Sequence, residues 1–180
     1  MIQLVFFAAI SSDGYLAGPN GEMDWAEKNL SQDEDYGFVE LMNNTSAILM
    51  GSKTFDFHLK AMAGEKQALP TFVLTNNPMR YDGIADPNVH LIHGPLDAVL
   101  SELDQHVNGV MLILGGADVV RQVMDAGRLN VMRLFITPDV LSDGLKLFEQ
   151  ELEGALEAFA LAEVQEFSSG LIEHTYVLKH

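Results

Sequence analysis

Two apolar runs in this chain of 180 residues each end in glycine and pass at once into a predicted helix. The first is Ala47-Ile48-Leu49-Met50-Gly51-Ser52-Lys53-Thr54, the second Val110-Met111-Leu112-Ile113-Leu114-Gly115-Gly116-Ala117. Runs of this kind read as buried strands of a parallel sheet, whose ligands bind at the carboxyl ends of the strands. Glycine there lets backbone approach a ligand, and the following helix offers unpaired N–H groups and a positive dipole end. Two such turns suit the two halves of a dinucleotide. Neither is a Walker loop or a GxGxxG fingerprint, so the chain asks for a different nucleotide-binding α/β fold.

The rest of the pattern alternates strand and helix. Residues 2–10 are a predicted strand, and 11–29 a long loop carrying Asp13-Gly14, Gly18-Pro19-Asn20-Gly21 and Trp25. A helix is expected over 32–44, with Ser31 and Glu34 as a capping box. Strand 46–50 leads to helix 52–60; strands follow at 70–75 and 88–92. Gly94-Pro95 opens a helix through 106, with Pro95 suited to its first position. Strand 110–114 feeds helix 117–126, closed by Gly127, and strand 131–137 stops at Pro138. Strands 158–167 and 171–178 flank Ser168-Ser169-Gly170 as an antiparallel hairpin. The expected fold is α/β: a mixed, mostly parallel central sheet flanked by helices, with an antiparallel C-terminal addition, in a single domain over 1–180.

Composition narrows the function. The net charge of −16 sets long-range repulsion against nucleic acid and anionic membrane. No apolar run approaches the ~20 residues that span a bilayer. Leu4–Ile10 has no basic residue before it and reads as a strand, not a signal peptide. With no cysteine, disulfides, thiol catalysis and thiolate metal sites are all removed, which fits a cytoplasmic protein. The six histidines show no tight ligand spacing, so no metal is expected.

Several residues carry candidate chemistry. Gly51-Ser52-Lys53-Thr54 offers backbone donors, two hydroxyls and an ammonium to a phosphate, or is an ordinary connection with a solvated lysine. Asp35, Phe38, Val39 and Met42 fall at i, i+3, i+4 and i+7, which puts the carboxylate on the apolar stripe of its helix. Asp35 then either recognises an amidine-like ring edge and supplies a proton, or complements the helix dipole. Trp25 is either a lid over a pocket or the anchor of its loop.

Taken in order, these pieces resemble the dihydrofolate reductase-like superfamily, which includes the C-terminal reductase domain of bifunctional riboflavin-biosynthesis enzymes. Phe7–Ala17 resembles the family's opening, and Gly21-Glu22-Met23-Asp24-Trp25 its mobile active-site loop. Ile48–Phe55 resembles its GRKT turn, and Phe72-Val73-Leu74-Thr75-Asn76 the strand that holds the adenosine side. Leu114-Gly115-Gly116-Ala117 resembles the glycine pair under the pyrophosphate, continuing into Asp118 and Val119, and Phe135-Ile136-Thr137-Pro138 the strand facing the substrate. Ser12-Asp13-Gly14-Tyr15, Pro138 and the Ser-Ser-Gly hairpin look more like the riboflavin-type branch and its stand-alone relatives.

The resemblance implies a reductase that passes a hydride from NADPH to a small pterin or ribityl-aminopyrimidine type substrate. Asp35 would be the active-site carboxylate, Thr137 its hydroxyl partner, and Trp25, Phe38 and Val39 the substrate lid. Ala9 and Leu16 would hold the nicotinamide carboxamide; Gly51, Ser52, Lys53, Thr54, Leu74, Thr75 and Asn76 would line the phosphate and adenosine side. Ser52 replaces the family's arginine, which leaves NADH as the alternative cofactor. A homodimer is implied by the riboflavin-type relatives. The contrasting expectation is a nucleotide-binding or interaction module that kept the fold without the chemistry.

Overall fold

A computed structural model describes residues 2–31, 33–62, 64–149 and 152–179, without the side chains of Leu152 and Glu153. The strands are β1 (Ile2–Ile10), β2 (Tyr15–Ala17), β3 (Thr45–Gly51), β4 (Thr71–Leu74), β5 (Val89–Ile92), β6 (Gly109–Gly115), β7 (Leu129–Ile136), β8 (Leu145–Lys146), β9 (Phe159–Glu166) and β10 (Ile172–Leu178). The helices are α1 (Asp24–Glu27), α2 (Phe38–Asn44), α3 (Ser52–Met62), α4 (Leu96–Leu103), α5 (Ala117–Asp125) and α6 (Leu152–Ala155). Eight strands form one sheet in the order β5-β4-β3-β6-β1-β7-β10-β9. Pairing is parallel between β5 and β4, β4 and β3, β3 and β6, and β6 and β1. β10 runs antiparallel to both β7 and β9, giving the expected hairpin.

The chain divides into two compact units. The first comprises Met1–Phe6 with Asn43–Leu129. Its strands are apolar throughout because both faces are covered: Leu4, Leu49, Met50, Met111, Leu112 and Ile113 are wholly buried, together with Phe55 of α3 and Val120 and Val123 of α5. α5 ends in a Schellman arrangement, with Gly127 N–H donating to Met124 O and Arg128 N–H to Val123 O. Pro95 stands just outside α4 as its N-cap residue, one place earlier than expected.

The second unit comprises Phe7–Met42 with Asn130–His180. Its core is aromatic: Tyr36, Phe135, Phe167 and Leu171 cluster, with Phe7 and Ala9 packed against them. The loop after β1 is more structured than expected, because β2 pairs with β8 and α1 forms a short turn. The main correction concerns the expected helix over 32–44. It starts at Phe38, because Tyr36 and Gly37 take φ of 55° and 71°, where a right-handed helix cannot run. The Ser31–Glu34 capping box does not form; the Ser31 hydroxyl accepts the Asp33 N–H, and Glu34 accepts the Tyr36 N–H.

Candidate functional site

In the first unit the two glycine turns meet. β3 and β6 are neighbours, and Met50 lies opposite Gly115. α3 and α5 therefore start side by side, and the first N–H groups of each lack intrahelical partners. The turns touch closely: a Cβ on Gly51 would come within 3.1 Å of Val119 Cγ2, and one on Gly116 within 3.5 Å of Thr54 Oγ1. Gly115 has φ of 98°, a region that side chains rarely adopt, and the Gly115–Gly116 peptide is cis. Gly116 leads into Ala117, and its carbonyl accepts from Val119 and Val120 N–H. Lys53 and Asp118 are exposed, while Ser52 and Thr54 are half-buried. One strand further out, Thr75 is buried, and its hydroxyl accepts the Asn77 N–H; Leu74 is half-buried and Asn76 exposed. Bare backbone, two hydroxyls and one ammonium over two helix starts fit the diphosphate of a dinucleotide.

The second unit contains a cavity of about 360 Å³ lined largely by apolar residues, Phe7, Ala9, Ala26, Leu30, Phe38 and Phe135 among them. Its polar lining comes from Ser31, Glu34, Asp35, Tyr36 and Thr137. Asp35 is exposed and lies before α2, not within it. One carboxylate oxygen accepts the Gly37 N–H at 3.2 Å and the other the Val39 N–H at 3.1 Å, so Asp35 closes the open start of α2. Asp35 and Thr137 share the cavity wall, but Thr137 bonds elsewhere. Its buried hydroxyl accepts the Asp139 N–H at 3.3 Å and also bonds the Asp139 carboxylate.

Asp139 is a hub. The Lys28 ammonium pairs with its carboxylate, and Asn29 donates to it at 2.6 Å. The Lys28 bond above all, outweighing desolvation with help from Asn29 and Thr137, holds the Asp139 carboxyl below the ordinary aspartate range. Trp25 does not line the cavity; it is buried within its own loop, with Nε1–H donating to Glu22 O. Val39 is exposed and Leu16 is buried in β2; neither is among the lining residues, whereas Phe38 and Ala9 are.

Two features of the cavity wall escaped sequence reasoning. Arg133 of β7 pairs with Glu173 of β10 across 40 residues, and its Nη2 also donates to Tyr36 O at 3.2 Å. Its guanidinium lies over the Phe7 and Phe135 rings. Tyr36 itself is the second: its Oη accepts the Ser31 N–H at 2.8 Å and bonds Ser169 Oγ at 3.2 Å. The only early signal was an arginine inside a strand of otherwise apolar character.

Among the described residues no group of His, Cys, Asp and Glu could hold a metal ion. No helix among them is long and apolar enough to cross a membrane.

This architecture is shared with solved proteins. A Shewanella sp. PV-4 protein assigned provisionally to riboflavin biosynthesis is 26% identical, with TM-score 0.81 and complete coverage of both chains. The dihydrofolate reductase of Enterococcus faecalis, solved with NADP(H) and RAB-propyl, shares the fold at TM-score 0.68 and 17% identity, over 99% of this chain and 97% of its own. The uncharacterised protein YyaP of Bacillus subtilis is 24% identical over 97% of this chain and 94% of its own. Residues 3–172 match the family described as the RibD C-terminal domain, and the chain belongs to it.

Proposed function

We propose that the protein is an NADPH-dependent reductase that delivers a hydride to a small heterocyclic, imine or carbonyl substrate of pterin or ribityl-aminopyrimidine type. The observation that carries the reading is the pair of converging glycine turns, which leave backbone and helix starts bare at the strand ends where α/β sheets bind nucleotides. NADPH would supply the hydride; the protein supplies position and electrostatics. Gly51, Ser52, Thr54, Gly115, Gly116 and Ala117 would hold the diphosphate, with Asp118 and Val119 behind it. Lys53, Leu74, Thr75 and Asn76 would serve the adenosine side, and Ala9 and Leu16 the carboxamide.

The substrate would occupy the aromatic cavity of the second unit. Asp35 would accept N–H groups of its ring edge with the lone pairs that capping leaves over. Phe38 would cover the ring. Thr137, tied to Asp139, would fix the cavity floor, and the Trp25 loop and Val39 would limit water entry. In the same proposal residues 1–180 act as one cytoplasmic reductase domain that forms a homodimer. The exposed strand β9, with Leu161 and Val164 each more than half exposed, supports that assembly.

One observation favours the alternative of a binding module without turnover: both oxygens of Asp35 already serve α2. Titration with NADPH, and separately NADH, followed by Trp25 fluorescence and thermal melting, tests the cofactor site. Ligand at ~100 times its dissociation constant should add about 2.7 kcal/mol of stability. Steady NADPH oxidation with a pterin or ribityl-pyrimidine supports the enzyme. A stable binary complex without turnover leaves the module, and no binding of either nucleotide overturns both.

A further inference from the structure

The cavity of the second unit sorts ligands by charge. Four aromatic rings line it, from Phe7, Tyr36, Phe38 and Phe135. The Phe7 ring centroid lies 5.6 Å from that of Phe38 and 4.8 Å from that of Phe135. Two carboxylates, Glu34 and Asp35, stand on the same wall, and no lysine, arginine or histidine does. Arg133 lies over two of the rings, its Cζ 5.2 Å from the Phe7 centroid and 5.8 Å from that of Phe135. That cation is spent. Its Nε and Nη2 both bond Glu173, a carboxylate only 3% exposed, and Nη2 also reaches Tyr36 O. Lys28, on the loop that supplies Ala26 and Leu30 to the wall, is paired with Asp139.

An anionic group inside this cavity would meet two carboxylates and the negative faces of four rings, with no free guanidinium or ammonium on the wall to offset them. A cation, or a ring edge rich in N–H donors, would be drawn by both. We infer that the cavity takes a flat, uncharged or cationic ring with N–H donors along one edge, and rejects ligands that place a carboxylate or phosphate within it. The inference rests on the reductase reading for its choice of site and sets the substrate class there.

The test uses four probes that share one ring: benzamidine, benzamide, benzoate and phenyl phosphate. Binding to the full chain is followed by NMR shifts of selectively labelled phenylalanine. Benzamidine should perturb Phe7, Phe38 and Phe135 saturably and bind at least about tenfold (~1.4 kcal/mol) tighter than benzoate or phenyl phosphate. Glu34→Gln and Asp35→Asn both keep an acceptor oxygen for their backbone bonds, and each should shrink that ratio several-fold. Added salt should weaken benzamidine more than benzamide. Equal or tighter binding of either anion overturns the inference. So does benzamidine bound elsewhere, or not at all, or a preference that both variants retain. No cofactor or turnover enters this assay, so a failed NADPH titration strikes the reductase reading alone.

Discussion

Asp35 shows how one carboxylate can serve two purposes. Its oxygens accept the Gly37 and Val39 amides, and it also lines the cavity. Asp35→Asn keeps an acceptor for the helix start, so its melting temperature should stay near that of the parent while turnover falls at least tenfold. Asp35→Ala removes the cap and should also cost about 1 kcal/mol in urea denaturation. Unchanged turnover in the Asn variant would leave Asp35 a capping residue only. Its neighbour Gly37 has less latitude. Its φ is 71°, and an added Cβ would sit 3.0 Å from Arg133 Nη2. Gly37→Ala is expected to destabilise by about 1–2 kcal/mol, read by chemical denaturation. The glycine was also the clue to the misplaced helix. The apolar period over 35–42 is genuine, since Phe38 does face the cavity with Asp35, but it was counted through Tyr36-Gly37 as if they were helical.

At the scale of elements, what was legible in the chain was local. The long apolar strands, the glycine turns and the Ser-Ser-Gly hairpin declare themselves within about ten residues, as periodicity and turn chemistry allow. The pairing of β2 with β8 did not, because strands of three and two residues have no period to read. Nor did the Arg133–Glu173 pair, which exists only because β7 and β10 run antiparallel in a register that sets Glu173 opposite Phe135 and Thr175 opposite Arg133. Arg133→Met would leave the Glu173 carboxylate buried and unpaired, and should cost about 3–5 kcal/mol. The double variant Arg133→Met, Glu173→Leu should recover most of that loss. A double variant no more stable than the single one would show that the pair contributes through something other than charge compensation.

For the molecule as a whole, acid is the informative stress. Burial opposes ionisation of Asp13, but the Ser11 hydroxyl and the Ser142 and Leu141 amides outweigh it and lower its pKa. The Ile2 amide lowers that of Asp104, against desolvation and with Arg128 assisting. The Gln67 and Asn88 amides do the same for Asp86, as Lys28 does for Asp139. Each folded pKa lies below the ordinary 3.8, so the unfolded chain takes up protons first as pH falls. These contributions are complete above that value and disappear as pH drops through the folded pKa values. Melting temperature should therefore hold until roughly pH 5 and then fall steeply. A decline beginning near neutrality would point to other groups. Asp139 adds a local reading: its protonation would release Lys28, Asn29 and Thr137 together, so the α1 loop should become protease-sensitive in the same interval.

The parallel pairing of β1 with β6 has a further consequence during synthesis. Ile2 lies opposite Gly109, and Phe6 opposite Ile113. At ribosomal rates of about 5–20 residues per second, the sequence Leu-Val-Phe-Phe leaves the exit tunnel roughly 5–20 s before its inner neighbour has been made. Throughout that interval the nascent chain carries an unpaired, uncharged β-former with no proline or lysine to guard it. Yield in a cell should therefore depend on elongation speed and on holdase chaperones more than the stability of the finished protein would lead one to expect.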